Sequence, residues 1–303
     1  MTSLLADKRI TIAGFGLMGG SLALALRPHV AQITAVDPHP ATLTLAIEQG
    51  FADTATPDLS AALPETDFLI LAAPSRAIVE LLGQLPALWP QGGLVIDLGS
   101  VKGPIVAAMN ELPEQFQAIG GHPMCGREVS GIAAALPDLY QGKTFILSRT
   151  ARTTPLMEQT ALELVTAVGA IPLFLPADLH DELTATISHA PYVVAATLMA
   201  VAARKAAGQP HLWPVSASGF RDTSRLAGSD PTMMGDILLS NREAVLAVLR
   251  EYAAELTAVT QLIETGDETE LGRWLENRQT EYLAYKREKS ADFAERVLSL
   301  PKD

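Results

Sequence analysis

Three short segments of this chain contain polar residues whose types and spacing could carry out chemistry. DLGSVKG offers Ser100 and Lys102, GGHPMCG offers His122, and GFRDTSR offers Arg221 and Arg225. A histidine can titrate near neutral pH and take a hydroxyl proton while hydride leaves the same carbon, which is what alcohol oxidation requires. Together the segments offer candidates for proton transfer at a histidine and for binding of a carboxylate by arginine.

His122 is preceded by two glycines and followed by a proline, a pattern that predicts a turn at the carboxyl end of a strand. In doubly wound folds the reactive groups lie at that end of the strands. We therefore consider His122 a general base, although a structural histidine that caps the turn explains the residues equally well. Cys125 is most simply a small packed residue.

The two arginines of GFRDTSR are four residues apart, so they would share a face if the segment is helical. On one face, Arg221 and Arg225 could hold a carboxylate in a bidentate fork. A solvated helix in which Asp222 pairs with one of them is the more common arrangement of charged residues. The residues alone leave both explanations open.

A glycine pattern near the start predicts dinucleotide binding. Residues 14–19 read GFGLMG, directly after the apolar run RITIA and before the helix candidate LMGGSLALAL. The first glycine permits a tight turn, the second lets the backbone approach a pyrophosphate, and the third lets strand and helix pack closely. The candidates for cofactor binding at this turn and after the strand candidate DFLILAAP are Gly14, Gly16, Leu17, Met18, Gly19, Ala73 and Pro74.

The strand candidate QITAVD ends in Asp37, about where an acidic side chain accepts hydrogen bonds from the adenosine ribose hydroxyls. A surface aspartate before a proline turn is the alternative. The next residues, PHP, contain no arginine for a 2′-phosphate. The sequence therefore favours NAD over NADP as the cofactor, although His39 could adapt to a phosphate.

Short apolar runs alternate with helical patterns from Lys8 to about Pro176. The strand candidates are RITIAG, QITAVD, DFLILAAP, GLVIDLGS, AIGGHP, KTFILS and AIPLFLP. The helix candidates between them are residues 17–26, 41–49, 77–82, 104–110 and 156–168. This alternation predicts an α/β Rossmann domain with a doubly wound, mainly parallel sheet over residues 1–176.

The strand pattern stops after Pro176. Residues 178–207, 231–265 and 268–287 read as helices rich in Ala, Leu, Glu and Arg. Residues 208–226 read as a loop with a short helix. The sequence therefore predicts a second, all-α domain over residues 177–303.

The composition limits the class of protein and its partners. The chain has 303 residues, 48% of them hydrophobic, and a formal net charge of −12. This charge works against binding of nucleic acid or an anionic membrane, both of which require a basic face, but it leaves room for a local basic pocket for a small anion. No stretch of about 18 residues is free of polar or helix-breaking residues. One cysteine excludes a disulfide framework within the chain and a cysteine-rich metal site. We expect a cytoplasmic protein with a small-molecule substrate and no metal, nucleic acid or membrane.

Five motifs, in order along the chain, resemble those of the prephenate and arogenate dehydrogenases of tyrosine biosynthesis. They are GFGLMGGS, DLGSVKG, GGHPMCG, HDELTATISHAP and GFRDTSRLAGSDP, within residues 9–240. The resemblance implies NAD(P)-dependent oxidative decarboxylation of prephenate, of arogenate or of both. It also implies that the helical domain forms a homodimer and closes the cleft.

The resemblance implies roles for individual residues. His122 corresponds to the catalytic histidine that hydrogen-bonds the 4-hydroxyl of the ring, and Ser100 to the serine close to that hydroxyl and the nicotinamide. Arg225 corresponds to the residue that holds the ring carboxylate. His180 and His189 correspond to family positions near the substrate pocket.

This chain departs from the family pattern at one substrate position. Some members read SHLPH where this chain reads SHAPY, so that Tyr192 replaces a histidine that approaches the substrate side chain. A phenol can donate a hydrogen bond but has no positive charge at pH 7. The preference between prephenate and arogenate therefore stays open.

Two other functions fit parts of the sequence. A β-hydroxyacid dehydrogenase shares the plan of a Rossmann domain followed by helices, but it relies on a lysine in the first long helix of the second domain. Residues 178–199 contain no lysine, and Lys205 is at the far end of that helix. A non-catalytic dinucleotide sensor would keep Gly14, Gly16 and Asp37 but would not need the other motifs.

Overall fold

The computed structural model describes residues 3–127 and 129–290. The strands are β1 Arg9–Ala13, β2 Gln32–Val36, β3 Thr54–Thr56, β4 Phe68–Leu71, β5 Leu94–Asp97, β6 Gln117–Pro123, β7 Thr144–Arg149 and β8 Ile171–Phe174. They form one sheet in the order β3-β2-β1-β4-β5-β6-β7-β8. Neighbouring strands are parallel except β6 and β7, which are antiparallel. The mainly parallel, doubly wound sheet expected from the sequence is confirmed.

Helices cover both faces of this sheet. They are α1 Leu17–Leu26, α2 Pro40–Glu48, α3 Leu59–Ala62, α4 Ser75–Leu88, α5 Gly103–Asn110 and α6 Pro155–Ala167. Along β4, Phe68 and Ile70 pack into the core on one face, while Leu69 and Leu71 pack into the core on the other. A strand buried on both faces needs a continuous apolar run, which is why these strands were visible in the sequence.

The second part of the chain is helical. Its helices are α7 Ala177–Thr184, α8 Ala190–Ala206, α9 Ser218–Ser224, α10 Pro231–Ser240, α11 Arg242–Thr265 and α12 Glu268–Ser290. A π-helical turn, Ala185–His189, joins α7 to α8. Strand β8 ends at Phe174 and α7 begins at Ala177, on either side of the predicted domain boundary. The division into 1–176 and 177–303 itself stays a prediction.

Helices α7 and α8 with the π-helical turn form one helix of 30 residues, Ala177–Ala206, which is long and apolar enough to cross a membrane. Length and composition alone do not distinguish such a span from a helix packed inside a protein. Its first half carries the buried polar side chains His180, Asp181 and His189, which make hydrogen bonds to other parts of the protein. These contacts favour a helix packed against the Rossmann domain.

Three details of the sequence-based prediction were wrong. The short edge strand β3 was not predicted, because its sequence TAT has no large apolar residue. Residues 231–265 do not form one helix, because the chain breaks between α10 and α11 at Asn241. His122 is not in a turn, because it lies within β6, where it pairs with Ile146 of β7. For the arginine pair, which the sequence left open, α9 contains Arg221 and ends at Ser224, and Arg225 begins the short helical turn that follows.

Candidate active site

The glycine turn after β1 has the geometry that dinucleotide binding requires. Gly14 has a φ of +93°, and a Cβ there would lie 2.4 Å from the carbonyl oxygen of Ala72. A Cβ on Gly19 would lie 2.0 Å from the carbonyl oxygen of Gly14, so only glycine lets α1 approach β1 this closely. At Gly16, the N-cap of α1, a Cβ would meet no atom within 4 Å. Glycine at position 16 therefore serves no internal packing, and the space beside it is available to a ligand.

Asp37 follows β2 and holds the glycine turn in place. Its carboxylate accepts hydrogen bonds from the backbone N–H of Phe15 at 2.9 Å and of His39 at 2.9 Å. The ring Nδ1 of His39 lies 3.0 Å from the same carboxylate. The carboxylate of Asp37 is thus buried beside the glycine turn, at the end of β2.

The remaining cofactor candidates surround the same turn. Leu17 and Met18 open α1, and the backbone carbonyl of Met18 accepts a hydrogen bond of 2.7 Å from the hydroxyl of Tyr140. Ala73 and Pro74 lie between β4 and α4, next to the close approach of Gly14 and Ala72. Because β1, β2 and β4 are parallel neighbours, all these residues meet at one edge of the sheet, and this edge fits a dinucleotide.

His122 lies near the carboxyl end of β6, at the same edge, and is the first member of a chain of hydrogen bonds. Its Nδ1 is 2.8 Å from Nε2 of His180 on α7, and Nδ1 of His180 is 2.7 Å from a carboxylate oxygen of Asp181. Asp181 also accepts hydrogen bonds of 2.7 Å from the backbone N–H groups of Lys102 and Gly103, at the start of α5. These hydrogen bonds thus link the sheet to α7 and α5.

A buried ion pair lies beside His122. The ammonium of Lys102 donates to the carboxylate of Asp97, and both side chains are fully buried. Asp97 also accepts from the backbone N–H of Gly99 at 2.7 Å and of Gly121 at 3.0 Å. This carboxylate therefore fixes the loop after β5 against β6, one residue before His122. Burial lowers the pKa of Lys102, and Asp97 opposes that effect.

Burial is also the main reason that the pKa of His122 is lowered well below its usual value, and electrostatic interactions with His180, Lys102 and His189 lower it further. A histidine with a lowered pKa is neutral at neutral pH. In this form it can accept a proton from a substrate hydroxyl.

His189 ends the π-helical turn and is fully buried. The side-chain amide of Asn241 donates to the carbonyl oxygen of Asp181 at 2.7 Å and lies 3.1 Å from Nδ1 of His189. Burial lowers the pKa of His189 to about 4. The helix break at Asn241 therefore places a polar side chain between the two histidine-bearing segments.

The other predicted site residues lie outside this hydrogen-bonded cluster. Ser100 is partly buried and follows β5. Tyr192, on α8, packs against Val101 and the apolar side chains of α10. Arg225 is exposed and begins a short helical turn, Arg225–Gly228, that packs against α8. The roles of these residues stay predictions.

The structure also shows the surroundings of Asp222 and Cys125. Asp222 pairs with one arginine, as expected, through a contact of 3.0 Å with Nε of Arg221, and both side chains are exposed. Burial raises the pKa of the Cys125 thiol to about 11, which agrees with a packed residue rather than a reactive one. Within residues 3–127 and 129–290, no group of three or more His, Cys, Asp or Glu side chains could hold a metal ion.

Sequence reasoning missed three members of the site. Asp97 is a charged residue at the end of an apolar strand, and Asp181 directly follows His180 in the HD pair. Both were visible as polar residues in unusual positions. Asn241 gave no such signal, since it lies in what reads as a continuous helix.

A histidine, His122, and a glycine turn that fits a dinucleotide lie at one edge of the mainly parallel sheet, with the helical part of the chain packed beside them. This is the arrangement of an NAD(P)-dependent dehydrogenase built from two domains. Comparison with known proteins identifies the family. The family model for the prephenate dehydrogenase nucleotide-binding domain matches residues 22–172, and the model for the prephenate dehydrogenase dimerization domain matches residues 176–277.

Individual relatives agree with the family models. A prephenate dehydrogenase from Bacillus subtilis is 31% identical over 269 residues, covering 88% of this chain and 72% of the relative. The crystal structure of prephenate dehydrogenase from Aquifex aeolicus, in complex with hydroxyphenyl propionate and NAD+, has a TM-score of 0.85 and 30% identity, covering 93% of this chain and 99% of that chain. An arogenate dehydrogenase from Synechocystis has a TM-score of 0.76 and 29% identity, covering 91% and 99%.

The chain therefore belongs to the prephenate dehydrogenase family and is an NAD(P)-dependent dehydrogenase. This membership decides against the β-hydroxyacid dehydrogenase and the non-catalytic dinucleotide sensor.

Proposed function

We propose that this enzyme oxidises and decarboxylates prephenate to 4-hydroxyphenylpyruvate with NAD. The observation that carries the proposal is the position of His122, a partly buried histidine at the sheet edge that carries the glycine turn. The named relatives act on prephenate or arogenate, and one of them was crystallised with NAD+. Arogenate is the second candidate, because the neutral phenol of Tyr192 imposes no charge preference on the substrate side chain.

The chemistry needs a base that both takes and returns a proton. When bound at the glycine turn, the nicotinamide would supply the acceptor for the hydride that leaves C4 of the substrate ring. His122 takes the proton of the 4-hydroxyl as the hydride leaves, the C1 carboxylate departs as carbon dioxide, and the electron pair of the broken bond completes the aromatic ring. The phenolic oxygen then recovers its proton from His122, so the product keeps its hydroxyl and no net proton is released.

We assign the remaining roles by chemistry. The forked guanidinium of Arg225 suits the ring carboxylate, and Ser100 follows the strand next to β6, where it can contact the reacting hydroxyl. Asp37 holds the adenosine ribose and selects NAD. We place the enzyme in the cytoplasm as a homodimer joined through its helical domain, with no membrane or nucleic acid partner.

The test is to measure the nicotinamide absorbance with prephenate and with arogenate, each with NAD and NADP. We expect the fastest turnover with prephenate and NAD, with formation of 4-hydroxyphenylpyruvate and carbon dioxide. In His122→Gln we expect kcat to fall by about two to four orders of magnitude, the range for loss of a general base. NAD affinity, followed by protein fluorescence, should not change.

Absence of turnover with both substrates would refute the proposed function. Asp37→Ser tests the cofactor separately, since it should bring the Kd values for NADP and NAD closer together. A wild-type enzyme that already binds NADP more tightly than NAD would refute the role of Asp37.

A further inference from the structure

The hydrogen-bond chain from His122 to Asp181 crosses the junction between the sheet and the helices. His122 belongs to β6, while His180 and Asp181 belong to α7. The distances of 2.8 Å and 2.7 Å are those of well-formed hydrogen bonds. His180 is fully buried, so it contacts no solvent and has no exposed surface for a substrate.

The donors around Asp181 determine where each proton lies. Backbone N–H groups of Lys102 and Gly103 point at its two oxygens, which matches a carboxylate that only accepts hydrogen bonds. Nδ1 of His180 must then donate to Asp181, and a neutral His180 has its lone pair on Nε2. Nε2 of His180 in turn accepts from Nδ1 of His122. The lone pair of a neutral His122 is therefore on its Nε2.

We propose that His180 and Asp181 are positioning residues for this reaction: they hold His122 in the tautomer whose Nε2 is the base, and they stabilise its imidazolium through the Nδ1 proton. The proposal rests on the proposed function, in which His122 takes the proton of the substrate hydroxyl. The proton moves from that hydroxyl to Nε2 and later returns to the same oxygen. The Nδ1 proton remains in its hydrogen bond to His180 throughout.

The burial of His180 and Asp181 agrees with a proton that returns to the oxygen from which it came. A base that must release its proton to water needs a route to solvent, whereas a base that returns its proton does not. His180 and Asp181 are buried, and Asn241 closes the far side through its hydrogen bond to the carbonyl oxygen of Asp181. This chain of hydrogen bonds is thus suited to holding one arrangement of protons rather than to conducting protons.

The charged and titratable groups that face His122 come from β5, α5, α7 and the π-helical turn, and their arrangement is compatible with the positioning role. From β5 and the start of α5, the buried cation of Lys102 is balanced by Asp97. From α7, His180 is paired with Asp181, and the π-helical turn contributes His189. The carboxylate of Asp181 is the negative charge that the hydrogen bonds through His180 connect to His122.

The direct test is the tautomer of His122 in the enzyme without ligands. The chain has six histidines, so ¹⁵N-histidine labelling gives a small set of ring signals, and His122 is assigned by the signal lost in His122→Gln. In the wild type we expect the proton on Nδ1. In His180→Phe, which keeps a ring but has no acceptor, we expect a mixture of tautomers. In Asp181→Asn, the new amide can donate to His180, so that both tautomers reverse.

Kinetics of the same variants give a second measurement. We expect kcat in His180→Phe to fall by about 10- to 100-fold, as for other partners that orient a functional histidine, while KM and the Kd for NAD stay unchanged. His180→Gln retains an acceptor for Nδ1 of His122 and should recover part of kcat. His29→Gln, an exposed histidine of the sheet domain, is the control and should match the wild type. Melting curves identify any variant that does not fold.

These experiments distinguish a failure of the positioning role from a failure of the proposed function. A folded His180→Phe in which the Nδ1 proton of His122 is unchanged, or in which kcat equals that of the wild type, overturns the positioning role. A folded His180→Gln that recovers none of the kcat lost in His180→Phe overturns it as well. Because the tautomer is measured without substrate, the expected tautomer of His122 can be found even if the wild type fails to oxidise prephenate. In that case the proposed function fails alone.

Discussion

At the scale of single residues, two carboxylates organise the candidate site by accepting several hydrogen bonds each. Asp97 fixes the loop after β5 against β6, and Asp181 fixes the start of α5 against His180. Neither needs to touch a substrate. Their effect is to fix the backbone and the ring of His122, so that the base is in place before substrate binds.

Arg225 is the proposed ligand of the ring carboxylate, so its replacement should weaken substrate binding without changing cofactor binding. Arg225→Lys keeps the charge but loses the planar fork, so we expect KM for prephenate to rise about 10- to 100-fold, the equivalent of a lost charged hydrogen bond. The Kd for NAD should stay the same. Initial-rate kinetics and a fluorescence titration measure the two quantities.

Arg221→Lys is the matched control, because Arg221 is exposed and pairs with the neighbouring Asp222. We expect its KM to be close to that of the wild type. If Arg221→Lys impairs substrate binding and Arg225→Lys does not, the two roles must be exchanged. If neither variant changes KM, the carboxylate is held elsewhere.

At the scale of elements, the glycine turn combines two different requirements for glycine. A Cβ at Gly19 would collide with the backbone of Gly14, whereas a Cβ at Gly16 would meet no protein atom within 4 Å. Gly19, like Gly14, is therefore needed for the fold, whereas the space beside Gly16 is available to a ligand.

This difference predicts opposite phenotypes. Gly16→Ala should melt like the wild type but bind NAD about 10- to 100-fold more weakly, because the methyl group keeps the pyrophosphate from the backbone N–H groups. Gly19→Ala should lose about 1–3 kcal/mol of stability from overpacking. Calorimetric titration with NAD and thermal melting measure both, and Gly83→Ala on the exposed face of α4 controls for the added methyl group. Unchanged NAD affinity in Gly16→Ala would contradict the binding site.

The π-helical turn is the second element that shapes the site. His180 and His189 are nine residues apart, about two and a half turns of regular α-helix, which would place them on opposite faces. Both are buried, because the turn Ala185–His189 changes the phase of the helix between them. Asn241 then contacts both the Asp181 backbone and the His189 ring.

Burial of neutral His189 predicts a pH dependence of stability. Its pKa is about 4 in the folded protein, against 6.5 for an unperturbed histidine. Between these values the unfolded chain binds more protons, so the free energy of unfolding should rise with pH from about 4 to 6.5 and then level off. The contribution is up to about 3 kcal/mol. Urea denaturation at a series of pH values measures it.

His189→Asn provides the comparison, since the asparagine oxygen can replace Nδ1 as an acceptor but does not titrate. We expect a shallower pH dependence in this variant. An identical slope in the two proteins would show that His189 is not the group responsible.

At the scale of the whole molecule, the two parts of the chain are joined by polar contacts as well as by the histidine chain. Arg76, at the start of α4, donates to the buried carboxylate of Asp236 on α10 at 2.6 Å. Most of the large hydrophobic side chains that the described residues expose lie in the helical part, on α7, α8, α11 and α12. Such a surface is typical of a subunit interface, in agreement with the proposed homodimer.

One helix face allows a direct test of this interface. On α11, Leu256 is 53% exposed and Ile263 is 63% exposed, and their spacing of seven residues places them on one side. Leu256→Asp combined with Ile263→Asp should convert a dimer to a monomer in analytical ultracentrifugation. Ile47→Asp, at a 44% exposed position on α2, should remain dimeric. A wild-type protein that sediments as a monomer would refute the proposed homodimer.

The sequence by itself predicted the sheet domain and the glycine turn, and it offered Asp37 and His122 as candidates for ribose binding and proton transfer. These features follow from local rules: buried parallel strands need continuous apolar runs, and a tight turn needs glycine. The order of the motifs was also sufficient to identify the family. Chemistry that depends on one short segment can therefore be predicted from that segment.

Only the tertiary structure decided which groups act on His122. Asp181 and Asn241 are distant from it in sequence, and their contacts depend on how α7 and the helix break at residue 241 pack against the sheet. A π-helical turn and a helix break differ from a continuous helix by small local energies, so packing decides between them. The tautomer of the base is likewise a consequence of packing, because the neighbouring acceptor, and not the histidine itself, determines which nitrogen carries the proton.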